Sequence, residues 1–379
     1  MKNIALLLAL LALAGCSTVK DWVGSKPEGP QPAKLVEFSQ SAKITERWHG
    51  SFGDAGGNIL QAALTADSVY GVSGKGVLTR LDRATGHELW HIDNKLAVSA
   101  GVGSGAGLLL IGSDKGDVLA FGLDGKLRWK HTISSEVLGV PQVAEGVVVV
   151  RSGDGHIAGL AAADGKPLWM YERSTPALVV RSHASVVVRD GVVYAGFAGG
   201  KLVAIKLTDG SLLWENSVSQ PRGNTELERI SDITSNPVLN DKQVCAIAFQ
   251  GRIACYETTQ GNPLWSRDIE SDKGLFISHK QLYLSDSSGV VMALDKDSGS
   301  TVWKNNQLSL RDTSAPYADD HFVIIGDDQG FLHVLMNDDG RFAARLKLDG
   351  SAVQVAPLEM DSGILVQTRS GGIYSLSIH

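Results

Sequence analysis

His87-Glu88-Leu89-Trp90-His91 spells HExxH, the pattern in which two imidazoles one helical turn apart share a zinc ion while the glutamate activates its water. The neighbouring residues do not supply the helix. Asp82 to Trp90 reads DRATGHELW, a turn followed by an alternating strand, and positions four apart in extended chain stand about 13 Å from each other. No catalytic or metal role is expected of His87, Glu88 or His91. The carboxylate pairs Asp319/Asp320, Asp327/Asp328 and Asp338/Asp339 fall where turns are expected. Asp is favoured in turns by local backbone hydrogen bonding, and no complete calcium loop follows any of the three. Gly101, Gly103, Gly105 and Gly107 lack the lysine and helix of a phosphate loop and suggest a flexible turn before Leu108 to Ile111. Cys245 and Cys255 flank a turn near Gly251. They could face each other across a hairpin, although bridging geometry is demanding. Cys255 also stands where other units carry the small residues Ala204 and Ala293, a position that suits a buried free thiol.

The elements that would position these groups form a repeat. Trp90, Trp129, Trp169, Trp214, Trp265 and Trp303 lie 39, 40, 45, 51 and 38 residues apart, one unit with two longer connections. Upstream of each tryptophan comes an apolar run, a Gly-rich turn and a second alternating run, as in VVVVRSGDGHIAGL from Val147 to Leu160. This is hairpin grammar, and helical periodicity is nearly absent. Turn glycines at 76, 116, 155, 200, 251, 289, 330 and 371 mark eight units. The last unit ends at His379 before any tryptophan, whereas Lys43 to Trp48, KITERW, carries the tryptophan pattern with no hairpin before it. The expected fold is therefore an all-β, eight-bladed propeller of four-stranded antiparallel blades. The N-terminal strand would complete the last blade and remove an open edge.

In that fold Trp48, Trp90, Trp129, Trp169, Trp214, Trp265 and Trp303 bridge adjacent blades, each indole bringing a large apolar face and one donor that needs a partner. Ala344 takes the tryptophan register in the seventh unit, where looser contact is expected.

The ends point to export. Lys2 precedes an apolar run from Ile4 to Ala14, too short to span a bilayer stably. Leu13-Ala14-Gly15-Cys16 resembles the lipobox of bacterial lipoproteins, which implies a signal peptide over 1–15 and a lipid on Cys16. The following Ser17 implies sorting to the outer membrane. Pro27, Gly29, Pro30 and Pro32 give 16–40 the composition of a flexible tether, leaving 41–379 as the propeller. The formal net charge of −6 offers no footprint for nucleic acid.

Ala293-Leu-Asp-Lys-Asp-Ser-Gly-Ser-Thr-Val-Trp303 resembles the Ala-x-Asp-x-x-Thr-Gly-x-x-x-Trp repeat of pyrroloquinoline quinone (PQQ) type propellers, and the resemblance spans the whole expected domain. Two classes share that repeat, the quinone-dependent periplasmic dehydrogenases and the outer-membrane assembly lipoproteins of the BamB family. Lipobox, eight units, short length and the stretch from Asn224 to Pro237 are similar to the latter. That likeness implies a non-catalytic scaffold without cofactor. It would be lipid-anchored in the outer membrane, face the periplasm, bind the periplasmic domains of BamA and assist insertion of outer-membrane proteins. Nascent barrel proteins would be a further partner. The dehydrogenase alternative implies adjacent cysteines beside a quinone. Beyond Cys16 the chain has only Cys245 and Cys255, ten apart.

The two off-length units are neighbours, so their extra residues should emerge on one side. Leu178, Val180 and Arg181 lie in the first insertion, where strand alternation would put Leu178 and Val180 on one face. Apolar residues beside an arginine suit a binding hot spot. Glu226, Glu228, Arg229 and Asp232 of the second insertion are expected as its charged surround, and together these seven residues are the expected BamA-binding site.

Overall fold

The computed structural model describes residues 30–361 and 363–379. Its strands form eight four-stranded sheets, every pairing antiparallel. Within blades 1 to 7, strands follow in sequence order from the inner edge outwards, as in blade 3 with Gln142–Ala144, Val147–Arg151, Ile157–Ala161 and Pro167–Tyr171. The middle strands are buried on both faces, Leu108–Ser113 and Asp117–Gly122 of blade 2 throughout their length, because a blade packs on each side of them. Hence they are near-continuous apolar runs. The outermost strands alternate, as Leu127–Thr132 does, since one of their faces meets solvent.

Closure occurs as expected. Strand Ile44–Ser51 pairs with Gly372–Ile378 as the outermost strand of blade 8, from Ile44 opposite Ile378 to Ser51 opposite Gly372. Lys43 and His379 then exchange backbone hydrogen bonds at 2.8 and 3.0 Å.

The tryptophans bridge blades through one recurring contact. Trp169 of blade 3 lays its indole on Gly210, in the turn before the outer strand of blade 4, and donates from Nε1 to the Leu207 carbonyl at 2.7 Å. Gly210 has φ +71°, and a Cβ there would stand 2.6 Å from the ring, so both backbone and space demand glycine. Trp48, Trp129, Trp214, Trp265 and Trp303 repeat the contact on Gly86, Gly165, Gly261, Gly299 and Gly340. Each donates to the carbonyl three residues before its glycine.

Trp90 departs from this pattern. The facing turn in blade 2 is one residue shorter: Gly122 bonds Lys126, whereas Asp82 bonds His87 in blade 1. Gly125 therefore gives its own amide to the Gly122 carbonyl at 2.8 Å, the acceptor an indole would use, and Trp90 Nε1 has no partner.

Blade 7 needs no tryptophan, because the place where blade 8 would carry the docking turn is taken by the junction of Lys43 and His379. Contact there is not looser. Ala344 is fully buried, and the space over blade 7 is filled by the residues before the first strand. Phe38 stacks on Phe342 with centroids 5.3 Å apart, and Ser41 and Ala42 both donate to the Ala343 carbonyl. The expected tether is thus fixed to the ring over its final residues. Arg311 donates to the Ala33 carbonyl at 3.0 Å and Arg345 to that of Val36 at 2.9 Å. Both arginines belong to a buried network: Asp327 accepts from Arg311 at 2.7 Å and from His333 Nε2 at 2.9 Å, while His333 Nδ1 accepts from Arg345 at 3.1 Å.

Residues 101–105 correct another expectation. They are not a flexible turn but part of the inner strand Val98–Gly105 of blade 2. A Cβ on Gly103 would lie 2.0 Å from the Pro141 carbonyl. The glycines let this strand approach blade 3 closely at the crowded axis.

Candidate interaction surface

Residues 172–186 connect blade 3 to blade 4, and 218–237 connect blade 4 to blade 5. Both are too long for a direct step between blades, and each satisfies its backbone groups on the other. The Val180 amide donates to the Asp232 carboxylate at 2.7 Å, the Ser182 hydroxyl to the Thr234 carbonyl at 3.1 Å, and the Ser185 amide to Asn236 Oδ1 at 2.7 Å. The second oxygen of Asp232 accepts the Gly199 amide at 2.9 Å. The insertions form one fused platform on the ring.

This arrangement reassigns several site residues. Asp232 is only 3% exposed and ties the loops together from inside, so it is not part of a charged surround. The first loop is irregular rather than a strand, so alternation does not govern it. Adjacent Leu178 and Val179 are exposed at 40% and 39%, while Val180 is half-buried. Arg181 is exposed next to them and makes no hydrogen bond or ion pair among the described residues.

At the tip of the second loop, Thr225 and Glu228 form a reciprocal cap. Glu228 accepts the amides of Asn224 and Thr225, and its own amide donates to the Thr225 hydroxyl. The Asn224 amide is the main cause holding the Glu228 carboxyl below its ordinary range. Glu226 and Arg229 pair at 3.1 Å in solvent, a contact of small energetic weight. These three charges shape the tip, and the tip presents Leu227, 67% exposed. Sequence reasoning missed Leu227 and Val179. Leu227 was visible as the single apolar residue in Thr225-Glu-Leu-Glu-Arg229.

Two concavities border the platform. One, of about 260 Å³, lies between the loops with Arg151, Phe197 and Asp232 at its base and Val179 and Arg181 at its edge. The other, about 500 Å³, is the mouth of the central channel, lined by connections from several blades, including Gln61, Arg181, Lys273 and Asp312.

The residues that could do chemistry are placed elsewhere. His91 Nδ1 lies 2.7 Å from Glu88 on the exposed outer strand Glu88–Asp93, and His87 is in the preceding turn. Cys245 and Cys255 stand opposite each other in register with Cα atoms 4.1 Å apart and are joined as a disulfide. The free-thiol alternative is therefore not what the fold adopts, because strand pairing alone brings the side chains together. The bridge is packed between blades 5 and 6, away from the channel mouth, and its partners are not vicinal. The cysteines thus do not fit the quinone pocket of the dehydrogenases. Among the described residues no three His, Cys, Asp or Glu side chains are placed to hold a metal ion together.

Comparison with known proteins decides between the two PQQ-type classes. Residues 74–305 match the family model described as outer membrane protein assembly factor BamB. A BamB of Nitrosomonas eutropha is 38% identical, with 99% of this chain and 95% of the relative covered. The chain belongs to the BamB family. A BamB of Burkholderia pseudomallei is 36% identical over 98% of this chain and 96% of its own length. The crystal structure of BamB from Moraxella catarrhalis superposes with a TM-score of 0.82 at 23% identity, covering 88% of this chain and all of that one. The quinohemoprotein alcohol dehydrogenase of Comamonas testosteroni shares the fold at a TM-score of 0.73 and 13% identity, with 88% and 76% covered. That second likeness is one of architecture alone.

Proposed function

We propose that this chain is a non-catalytic scaffold of the machinery that assembles outer-membrane β-barrels, and that it binds the periplasmic domains of BamA through the fused loop platform. Its BamB relatives carry the name outer membrane protein assembly factor, and membership in that family places the chain with the assembly factors rather than with the dehydrogenases. The chain is accordingly associated with the outer membrane. A lipid on Cys16, which lies outside the described residues, would anchor it there with the propeller in the periplasm.

One observation carries the site: two loops hydrogen-bonded into a single platform expose Leu178 and Val179 next to Arg181 on the first loop and Leu227 at the tip of the second. Exposed aliphatic residues beside an arginine on a rigid support suit a hot spot, because little conformational freedom is lost on binding. Nascent barrel proteins are a second class of partner. The outer strand Pro167–Tyr171 leaves Leu168 and Met170 exposed at an open sheet edge, the arrangement that takes an added strand.

The test is recovery of BamA from detergent-solubilised outer membrane with wild-type chain and with the Leu178→Ala/Arg181→Ala variant. BamA should be lost from the variant pull-down while the variant melts normally. Equal recovery removes the platform as the binding site.

A further inference from the structure

The outer strand of a blade runs antiparallel to the third strand and so ends where that strand begins. In blade 3 the third strand opens on Ile157, opposite Tyr171 at the end of the outer strand, and residues 172–186 leave beside Gly155. That face of the ring carries the platform and the channel mouth. In blade 8 Ser51 pairs with Gly372 on the same face, whereas Ile44 pairs with Ile378 on the opposite one. The first strand therefore starts on the face away from the platform, and a tether running straight on from Lys43 would leave the ring there.

The chain takes another route. Residues 33–42 cross the outer strand of blade 7, Phe342–Lys347, from one face to the other. Ser41 and Ala42 donate to the Ala343 carbonyl near the start of that strand. Phe38 stacks on Phe342, with the Arg345 guanidinium 5.0 Å from both ring centres, and Val36 and Phe38 join the cluster of Trp303 and Leu308. Ala33 then donates to the Ser309 carbonyl at 2.9 Å and accepts from Arg311. Ser309 lies in the connection from blade 6 to blade 7, and Arg311 also donates to Asp327 and Gln329 in the turn between the second and third strands of blade 7. Ala33 is thus on the platform face, four blades round the ring from blade 3.

Ordering this segment costs conformational entropy that a plain tether would keep. What the contacts achieve is a change of face. The wall is as high as the strand Ile44–Ser51, about 25 Å. Ala33 lies seventeen residues beyond Cys16, and a flexible coil of that length has a root-mean-square reach of about 25 Å. Because reach and wall height match, the face from which the chain leaves decides which face comes near the anchor.

We propose that residues 33–42 are a strap that carries the lipid tether over the wall of blade 7, so that the platform face, with the channel mouth, is the one turned toward the bilayer. This rests on the lipid proposed at Cys16 and is independent of which protein the platform binds.

The experiment places one donor dye on the lipidated full-length chain, at Thr175→Cys or at Lys166→Cys. Energy transfer is measured to an acceptor on the headgroups of phosphatidylethanolamine–phosphatidylglycerol vesicles. Both positions are exposed and flank one strand, Pro167–Tyr171, on opposite faces of the ring. Cys245 and Cys255 are buried and joined, so they do not take the dye. Transfer should be at least about twofold greater from position 175 than from 166, since the strand between them spans about 17 Å. Val36→Ser/Phe38→Ser alters the strap alone. It should abolish or invert the difference, with faster amide exchange at Ser41 and Ala42 marking release.

Equal transfer from the two positions in the wild-type background, or more from 166, overturns the proposal, as does an unchanged difference once the strap is released. A wild-type chain that does not float with the vesicles removes the lipid on Cys16 and the strap's role with it, and leaves the platform as a binding site untouched. If the strap variant does not fold, inserting about thirty Gly and Ser residues after Gly29 lengthens the coil well beyond the wall and alters neither strap nor ring. The difference should then shrink, and its full persistence overturns the proposal.

Discussion

The Asp232 carboxylate accepts the Val180 amide at 2.7 Å across 52 residues of chain, and this bond makes one platform out of two insertions. Its other oxygen holds Gly199. Asp232→Ala would leave two partly buried amides without an acceptor, at a cost of about 1–3 kcal/mol. Urea denaturation should show that loss, and amide exchange should accelerate at Val180 and Gly199 in particular. Unchanged exchange at both would mean that the loops are held together by other contacts.

The blade tryptophans should separate into two energetic classes. Trp303 donates to the Asn337 carbonyl at 2.7 Å, whereas Trp90 Nε1 has no acceptor. Replacement by Phe removes ring area in both cases but a hydrogen bond only from Trp303. Trp303→Phe should therefore destabilise by about 1 kcal/mol more than Trp90→Phe. Equal losses in parallel urea titrations would count against the shortened blade 2 turn as the reason for the difference.

The disulfide crosses one hairpin with a sequence separation of 10. Closing so short a loop stabilises by about 3 kcal/mol on chain-entropy grounds. Non-reducing mass spectrometry after alkylation should find Cys245 and Cys255 unmodified. The double Ala variant should then unfold at lower urea concentration by about that free energy.

Acidification should loosen the N-terminal segment. Burial is the main cause that lowers the His333 pKa from its ordinary 6.5, with Arg345 and Arg311 adding to it against Asp327. The unfolded chain therefore binds a proton that the folded chain resists, and stability falls as pH drops below 6.5 towards the lowered folded value. Hydrogen bonds from His333, Phe331 and Arg311 hold the Asp327 carboxyl below its ordinary range despite burial. Its contribution is lost in the same direction, at lower pH. Wild type should lose melting temperature between pH 6.5 and 5 more steeply than His333→Gln, and proteolysis near Phe38 should accelerate. Parallel slopes would show that another group is responsible.

The repeat was open to reading because a blade is a local object. Its hairpins bring together residues a few positions apart, so each Gly-bounded apolar run and each Asp-x-x-Thr-Gly-x-x-x-Trp segment carries its own instructions, and the split eighth unit follows from the missing last strand. Trp169 and Gly210 show the limit of this legibility. Both are conspicuous in sequence, but that one docks on the other, and that Trp90 loses its acceptor to a single missing residue, depends on how neighbouring blades face each other.

The platform was less accessible still. Strand alternation paired Leu178 with Val180, yet the first loop takes its shape from the second, which exposes Val179 and half-buries Val180. Asp232 has the composition of a surface charge and is a buried clasp, because only folding brings the Val180 and Gly199 amides to it. Arg311 and Arg345 likewise find the carbonyls of Ala33 and Val36 only because folding lays the N-terminal segment across them.

The amino-acid sequence by itself determined the all-β repeat, the number of blades and the closure between its ends, because those depend on local periodicity and turn chemistry. The tertiary structure decided which polar groups are paired across long separations, and hence which residues are exposed for binding. The reason is that an unsatisfied backbone amide or charge is costly wherever it is buried, and burial is a property of the assembled ring rather than of any segment.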